Sequence, residues 1–276
     1  MQSHIESGAQ LLARLNAKPS LHGLDDTLFL EGPGSNDIIE INGERSTGKT
    51  FLVSQMLAKC ILPKYYQSVR IKGCNASAIL INTDHHFQVS KLIDIMTDIV
   101  DAAYTASPIS GTIDTNFDKI AIVRKSLRNL YVIDCYNSEQ FFLTLRTLDD
   151  IFLDNAEIAI LAIDSITAYY WQDRESGCIT IDSYVKKLLQ LIRLHTTRFD
   201  IATVYTTPRE SNVNCKGKKF LINDLKKTVE YYRIHLQKMQ DTSNFMCTLE
   251  TEQTIKKMHY SILLSGIKWK VEEGEG

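Results

Sequence analysis

The chain has 276 residues and a mass of 31.4 kDa, enough to bury a large core without disulfides or a structural metal. Hydrophobic residues make up 44% and charged residues 23%, a globular balance that excludes disordered and collagen-like classes. Net charge is −2, from 31 basic and 33 acidic side chains, so bulk positive charge cannot hold nucleic acid and only a local patch would serve.

The N-terminal segment lacks the continuous apolar core of a secretory signal. It reads instead as a short amphipathic helix through Leu11, Leu12 and Leu15, stopped by Pro19. Six cysteines are scattered with no Cys-x-x-Cys pair, which predicts reduced thiols and a cytosolic or nuclear chain. The longest central apolar run, Ile158 to Ile163, is far shorter than the roughly 20 residues that span a bilayer, and no membrane role is expected.

From Ile38 onward, apolar runs of strand length alternate with helical patterns. Ile38–Ile41 is followed by a helix over Lys49–Leu62, with Leu52, Val53, Met56, Leu57, Cys60 and Ile61 at helical spacing and Pro63 ending it. Ala78–Ile81 is the next strand, then a helix from Ser90 with Leu92, Ile95, Met96, Ile99 and Ala103 on one face. Between Leu92 and Asp118 stand five aspartates and no basic residue, and the later half of this stretch reads as a surface loop. Leu130–Ile133 is a strand, and Ser138 is read as the cap of a helix burying Phe141, Leu145, Leu148 and Phe152. Ile158–Ile163 is the most apolar strand. A helix after Asp182 carries Val185, Leu188, Leu189 and Ile192, and Ile201–Tyr205 closes the series. Such alternation predicts an α/β fold, a mainly parallel sheet with helices on both faces.

After Pro208 the pattern changes. Residues 209–240 hold eight basic and three acidic side chains, a net +5. Tyr231–Lys238, Phe245–Leu249 and Tyr260–Leu264 read as antiparallel strands added at the C-terminal end, before an acidic tail expected to be disordered. The expected division is an N-terminal helix and linker at 1–37, a core at 38–270 and the tail at 271–276.

Gly43-Glu44-Arg45-Ser46-Thr47-Gly48-Lys49-Thr50 matches G-x-x-x-x-G-K-[ST] at every fixed position, directly after a strand and directly before a helix. That context is what the mechanism needs. Glycines let successive N–H groups wrap phosphate, and the helix N-terminus adds partial positive charge. Lys49 is expected to reach the β- and γ-phosphates of ATP, and the Thr50 hydroxyl to ligate Mg2+. Asp164, ending the strand Ile158–Ile163, is placed to orient the magnesium through water. Asp84, after the strand Ala78–Ile81, is the candidate for positioning an attacking water. His85 and His86 adjoin it, but neighbours on an extended segment point to opposite sides and do not share one ion.

The loop, the string Ile81-Asn82-Thr83-Asp84 and the string Ile163-Asp164-Ser165-Ile166-Thr167-Ala168-Tyr169-Tyr170 resemble the RecA-like recombinases and their paralogues in order and spacing. The resemblance extends to Glu6-Ser7-Gly8 with Leu11-Leu12-Ala13-Arg14-Leu15, to Cys60-Ile61-Leu62-Pro63, to Thr83-Asp84-His85-His86-Phe87 and to Tyr170-Trp171-Gln172-Asp173-Arg174. It covers most of 1–208 and fades in the C-terminal third. It implies a RecA-type ATPase core binding ATP and Mg2+, in a nuclear subunit of a recombinase-paralogue complex that repairs DNA breaks and stalled forks by homologous recombination. Other paralogues, the D-type first among them, are the implied partners in a hetero-oligomer. In such a family the N-terminal segment meets the neighbouring paralogue, which makes Leu11, Leu12 and Leu15 interface candidates, the alternative being that this helix packs on its own core.

The same resemblance implies weak contact with single-stranded or branched DNA, direct or through partners, at two loops. By position these hold Arg174 in one and Arg209, Lys216, Lys218 and Lys219 in the other. Two departures argue against an active motor. Asp84 stands where the recombinases carry glutamate, and Pro208 stands where a glutamine senses the γ-phosphate, although proline has no side-chain donor or acceptor. The expectation is nucleotide binding with slow turnover in an assembly subunit. The rival readings are an autonomous RecA-fold DNA-dependent ATPase or helicase, a P-loop kinase, and a loop that only stabilises the fold.

Overall fold

The computed structural model describes residues 7–8, 18–107, 118–174, 180–208, 229–239 and 244–270. A sheet of nine strands organises them. In chain order its strands are β1 (Ile38–Gly43), β4 (Ser77–Asn82), β5 (Leu130–Asp134), β6 (Ile158–Asp164), β7 (Ala202–Pro208), β8 (Tyr231–Lys238), β9 (Phe245–Glu250), β10 (Ile255–Leu263) and β11 (Gly266–Lys270). The remaining two, β2 (Tyr65–Tyr66) and β3 (Val69–Arg70), form a separate small hairpin. Across the sheet the order is β11-β10-β9-β8-β1-β7-β6-β4-β5. From β8 to β5 every neighbour is parallel, and β9, β10 and β11 are added antiparallel. This is an α/β fold with a mostly parallel sheet and antiparallel C-terminal strands, as a RecA-like core has.

Apolar patterning explains the centre. All six residues of β4 and all seven of β6 are buried, as strands covered on both faces must be. One face is packed by α1 (Lys49–Ile61), α2 (Val89–Thr105) and α3 (Lys119–Leu127). The other is packed by α4 (Ser138–Arg146), α5 (Leu148–Asp154), α6 (Tyr170–Asp173) and α7 (Ile181–Thr196). On α1 the six apolar residues expected at helical spacing are all buried, and the helix stops two residues before Pro63. The segment before β1 joins the first core through Leu21, Leu24, Leu28 and Phe29, and Asp25 accepts from the Trp269 indole at 3.0 Å. Four cysteines, Cys60, Cys74, Cys135 and Cys247, are free and buried, and burial pushes Cys74 up to about 11 and Cys247 to about 12.

Several expectations need correction. Tyr231–Lys238 is not purely antiparallel, because β8 pairs parallel with β1 on one side and antiparallel with β9 on the other. The helix expected from Ser138 is two helices broken at Thr147, whose hydroxyl bonds back to the Leu143 and Thr144 carbonyls. Its cap is Asn137, whose side chain accepts from the Gln140 N–H at 2.8 Å; Ser138 instead donates to Asp173. The helix α3, capped by Asp118, and the strand β11 were not expected. Leu11, Leu12, Leu15 and the acidic tail lie outside the described residues.

Beyond β7 the second face is polar. Glu40 accepts from the Tyr231 hydroxyl at 2.5 Å and from Arg233 Nε at 3.2 Å, and the Tyr205 and Tyr231 hydroxyls lie 2.6 Å apart. Arg233 also reaches Glu250 at 3.0 Å, so one chain of contacts crosses β7, β1, β8 and β9. Burial pushes both tyrosine hydroxyls well above their ordinary range, which keeps them neutral donors.

Leu24→Ala is expected to lower unfolding stability by about 2–5 kcal/mol through a cavity in the core. Leu30, 96% exposed five residues before Ser35, should tolerate the same change within about 0.5 kcal/mol. Equal urea midpoints for the two variants would show that the segment before β1 does not pack as described.

Candidate nucleotide-binding site

The loop between β1 and α1 is shaped by close approaches. A Cβ on Gly43 would collide with the Leu236 carbonyl of β8 and crowd the Thr47 hydroxyl. Gly48 sits at φ +91°, a left-handed conformation that side chains disfavour, and it starts α1 with no side-chain cap. No acidic residue occupies the first turn of α1, so its leading N–H groups meet no carboxylate of their own helix. Thr47 is buried and its hydroxyl donates to the Glu44 carbonyl at 2.9 Å, closing the loop on itself. Glu44, Arg45 and Ser46 are exposed along the rim, and Thr50 is half-buried on the first turn.

Lys49 folds back over the loop, where its Nζ donates to the Gly43 carbonyl at 2.9 Å and the Glu44 carbonyl at 2.8 Å. Burial lowers its pKa, and the negative charges of Asp164 and Asp84 oppose that shift. Both carboxylates come from neighbouring strands. Asn82 and Asp164 are register partners of β4 and β6, and the N–H groups of Thr83 and Asp84 donate to the Asp164 carbonyl at 2.9 and 3.0 Å. Asp84 is held above its usual carboxylate value, first by burial and then by the charge on Asp164.

Asp164 is buried, and its two oxygens differ. Oδ1 accepts from the Thr206 hydroxyl at 2.6 Å, while Oδ2 has no hydrogen-bond partner among the described residues. An unpartnered buried carboxylate oxygen is costly unless something else meets it. A hydrated cation fits that demand, and the loop amides with Lys49 fit a polyphosphate. The residues expected to hold ATP and Mg2+ therefore stand together and suit both groups chemically.

On the far side of the loop, Gly43 is the register partner of Pro208 at the end of β7, where no side-chain donor or acceptor is available. Asn42 pairs through Oδ1 with the His235 Nδ1 of β8. Thr206, His235 and Tyr260, whose hydroxyl donates to the Thr47 carbonyl at 2.7 Å, are contributors that local sequence patterns did not single out. The His85 ring stacks on Tyr136, with centroids 4.5 Å apart. Among the described residues no group of three or more His, Cys, Asp or Glu could hold a metal ion between them, and no helix is long and apolar enough to cross a membrane.

Of the five DNA candidates, Arg174 falls among the described residues. Arg174 is exposed beyond α6, with its guanidinium 5.3 Å from the ring of Trp171. It borders a cavity of about 380 Å3 walled by Phe142, Tyr170, Tyr184 and Leu188, with Lys187 on its lining. Tyr169 and Tyr170 are core residues and Trp171 is exposed. Arg209, Lys216, Lys218 and Lys219 lie outside the described residues.

The strand order, the loop at the end of β1 and the carboxylates after β4 and at the end of β6 are consistent with a RecA-like core. Among known proteins the chain is homologous to those called DNA repair protein XRCC2. It is 29% identical over 207 residues to DNA repair protein XRCC2 of Mus musculus, covering 73% of this chain and 67% of that protein. It is 24% identical over 213 residues to the DNA repair protein XRCC2 homolog of Arabidopsis thaliana, covering 67% of this chain and 55% of that protein. The match thus spans about two thirds of the mouse protein and just over half of the plant one. No protein-family model matches the chain.

Because ionising Asp84 is disfavoured in the fold, its contribution is greatest below the unfolded value of 3.8 and declines as pH rises through the raised folded value. Asp84→Asn removes that decline. The variant should gain stability relative to the parent as pH is raised from 3 toward 7, read from urea midpoints at each pH. A constant difference across that range would show that Asp84 titrates normally.

Proposed function

We propose that the chain is an ATP- and Mg2+-binding subunit of a nuclear recombinase-paralogue complex, acting in homologous-recombination repair of DNA, and that it works by assembly rather than as a motor. The observation that carries the first half is the pairing of the phosphate loop with the partnerless Oδ2 of Asp164. Bound nucleotide would draw Lys49 from the Gly43 and Glu44 carbonyls to its phosphates, whose negative charge the loop N–H groups would also meet. Thr50 and Asp164 would hold the magnesium, Asp164 through water, with Thr206 fixing the carboxylate from behind.

The second half rests on what flanks the loop. Asp84 is one methylene shorter than the glutamate of active recombinases, and proline at 208 offers no hydrogen bond through which strand β7 could report the γ-phosphate. Relatives named for DNA repair support placing the chain in that process. The D-type paralogue is the proposed first partner, with DNA met weakly or through the complex.

Purified full chain is expected to show a raised melting temperature with Mg-ATP, lost in Lys49→Ala, while turning over ATP far more slowly than an active recombinase. Fast turnover that Lys49→Ala abolishes would favour an autonomous ATPase or helicase. An absent thermal shift would leave the loop a purely structural feature. Co-purification of other paralogues from cells with and without Lys49→Ala then reads whether nucleotide matters for assembly.

Changing Lys216, Lys218 and Lys219 together to glutamine should flatten the salt dependence of single-strand binding, because three phosphate contacts release about 2 fewer counterions when lost. An unaltered slope would remove that segment from the DNA surface.

A further inference from the structure

The C-terminal hairpin β10–β11 is far from the loop in sequence and touches it in space. Tyr260 of β10 is fully buried, and its ring is held by Phe245, stacked at 5.2 Å, and by Trp269, edge-on at 5.8 Å. So fixed, its hydroxyl donates to the Thr47 carbonyl at 2.7 Å. Ile262 and Ile267 form the floor beneath Gly48, where an added Cβ would lie 3.1 Å from one and 3.5 Å from the other. The Ile267 N–H donates to Gln55 Oε1 at 2.9 Å, which ties the hairpin to α1 as well.

The Thr47–Gly48 peptide gives these contacts a meaning. In a planar trans peptide the carbonyl and the N–H point in opposite directions. A hydroxyl that draws the Thr47 carbonyl toward β10 therefore turns the Gly48 N–H away from the hairpin. That amide is one of the donors on which a phosphate loop depends.

We infer that Tyr260 is a positioning residue for the phosphate loop, and that hairpin β10–β11 and nucleotide occupancy are coupled. This rests on the nucleotide-binding reading above and adds to it a regulatory element, since whatever loosens the hairpin weakens nucleotide binding. By reciprocity, bound nucleotide tightens the hairpin.

Calorimetric titration of Mg-ATP into the full chain tests this with two variants. Tyr260→Phe keeps the ring and removes the hydroxyl, and is expected to weaken Mg-ATP binding by about threefold to tenfold, the range of one net hydrogen bond. Phe152→Leu trims a side chain fully buried in the core on the other face of the sheet, away from the hairpin. It should lower the melting temperature and leave Mg-ATP affinity at the parent value, which separates a local effect of the Tyr260 hydroxyl from a general loss of stability. Parent-like affinity in Tyr260→Phe overturns the inference and leaves the nucleotide reading standing. A parent chain that binds no Mg-ATP overturns both. Should Tyr260→Phe fail to fold, hydrogen exchange on the parent decides. Amides of 258–270 should exchange at least about threefold more slowly with saturating Mg-ATP, and unchanged exchange there overturns the coupling.

Discussion

The half-buried ammonium of Lys49 is the constraint around which the rest is arranged. Removing a positive charge from water is costly, and here two carboxylates from other strands and two carbonyls of its own loop offset that cost. The carboxylates can stand there only if β4 and β6 run parallel in register, so that Asn82 lies beside Asp164 and Asp84 follows at the same edge. A parallel register in turn requires crossover helices and apolar residues on both faces of each central strand. The wholly buried β4 and β6 meet that requirement. One charge thus reaches through the sheet to the two cores.

The C-terminal third supports the same edge from the opposite side. Strand β8 lies against β1, where the Leu236 carbonyl leaves room at position 43 for glycine alone. The contacts from Tyr205 through Tyr231 and Glu40 to Arg233 and Glu250 hold four strands by polar groups at the margin of the second core. Each member has a partner, and a satisfied network of this kind fixes geometry more than it adds stability. The loop is therefore braced by a part of the chain in which resemblance to the recombinases is slight.

Local pattern made much of this legible. The glycine-lysine string, the helical spacing on α1 and the aspartates at or just after the ends of two apolar strands are all short-range signals, and they mark out the candidate site. What local pattern could not supply is pairing over distance. Tyr260 and Thr47 are 213 residues apart, and nothing near either one announces the other. Strand β8 alternates like an antiparallel edge strand, yet it has a parallel partner on one side, and alternation along a strand does not encode the direction of its neighbour. Helix α3 was missed because Ile122 and Val123 are its only buried apolar residues, too few for a periodic stripe. The cap at Asn137 was misplaced by one residue because asparagine and serine stand side by side and both can cap.

The position of β1 also orders events in time. It is made early, at residues 38–43, yet both of its sheet neighbours are late: β7 at 202–208 and β8 at 231–238. During synthesis at about 5–20 residues per second, strand β1 waits roughly ten to thirty seconds for its first partner. Through that interval the isoleucines of β1 and two open backbone edges are available to any other unpaired strand. The nascent chain cannot mature vectorially from its N-terminus, and its most vulnerable segment is the one that ends in the glycine of the loop.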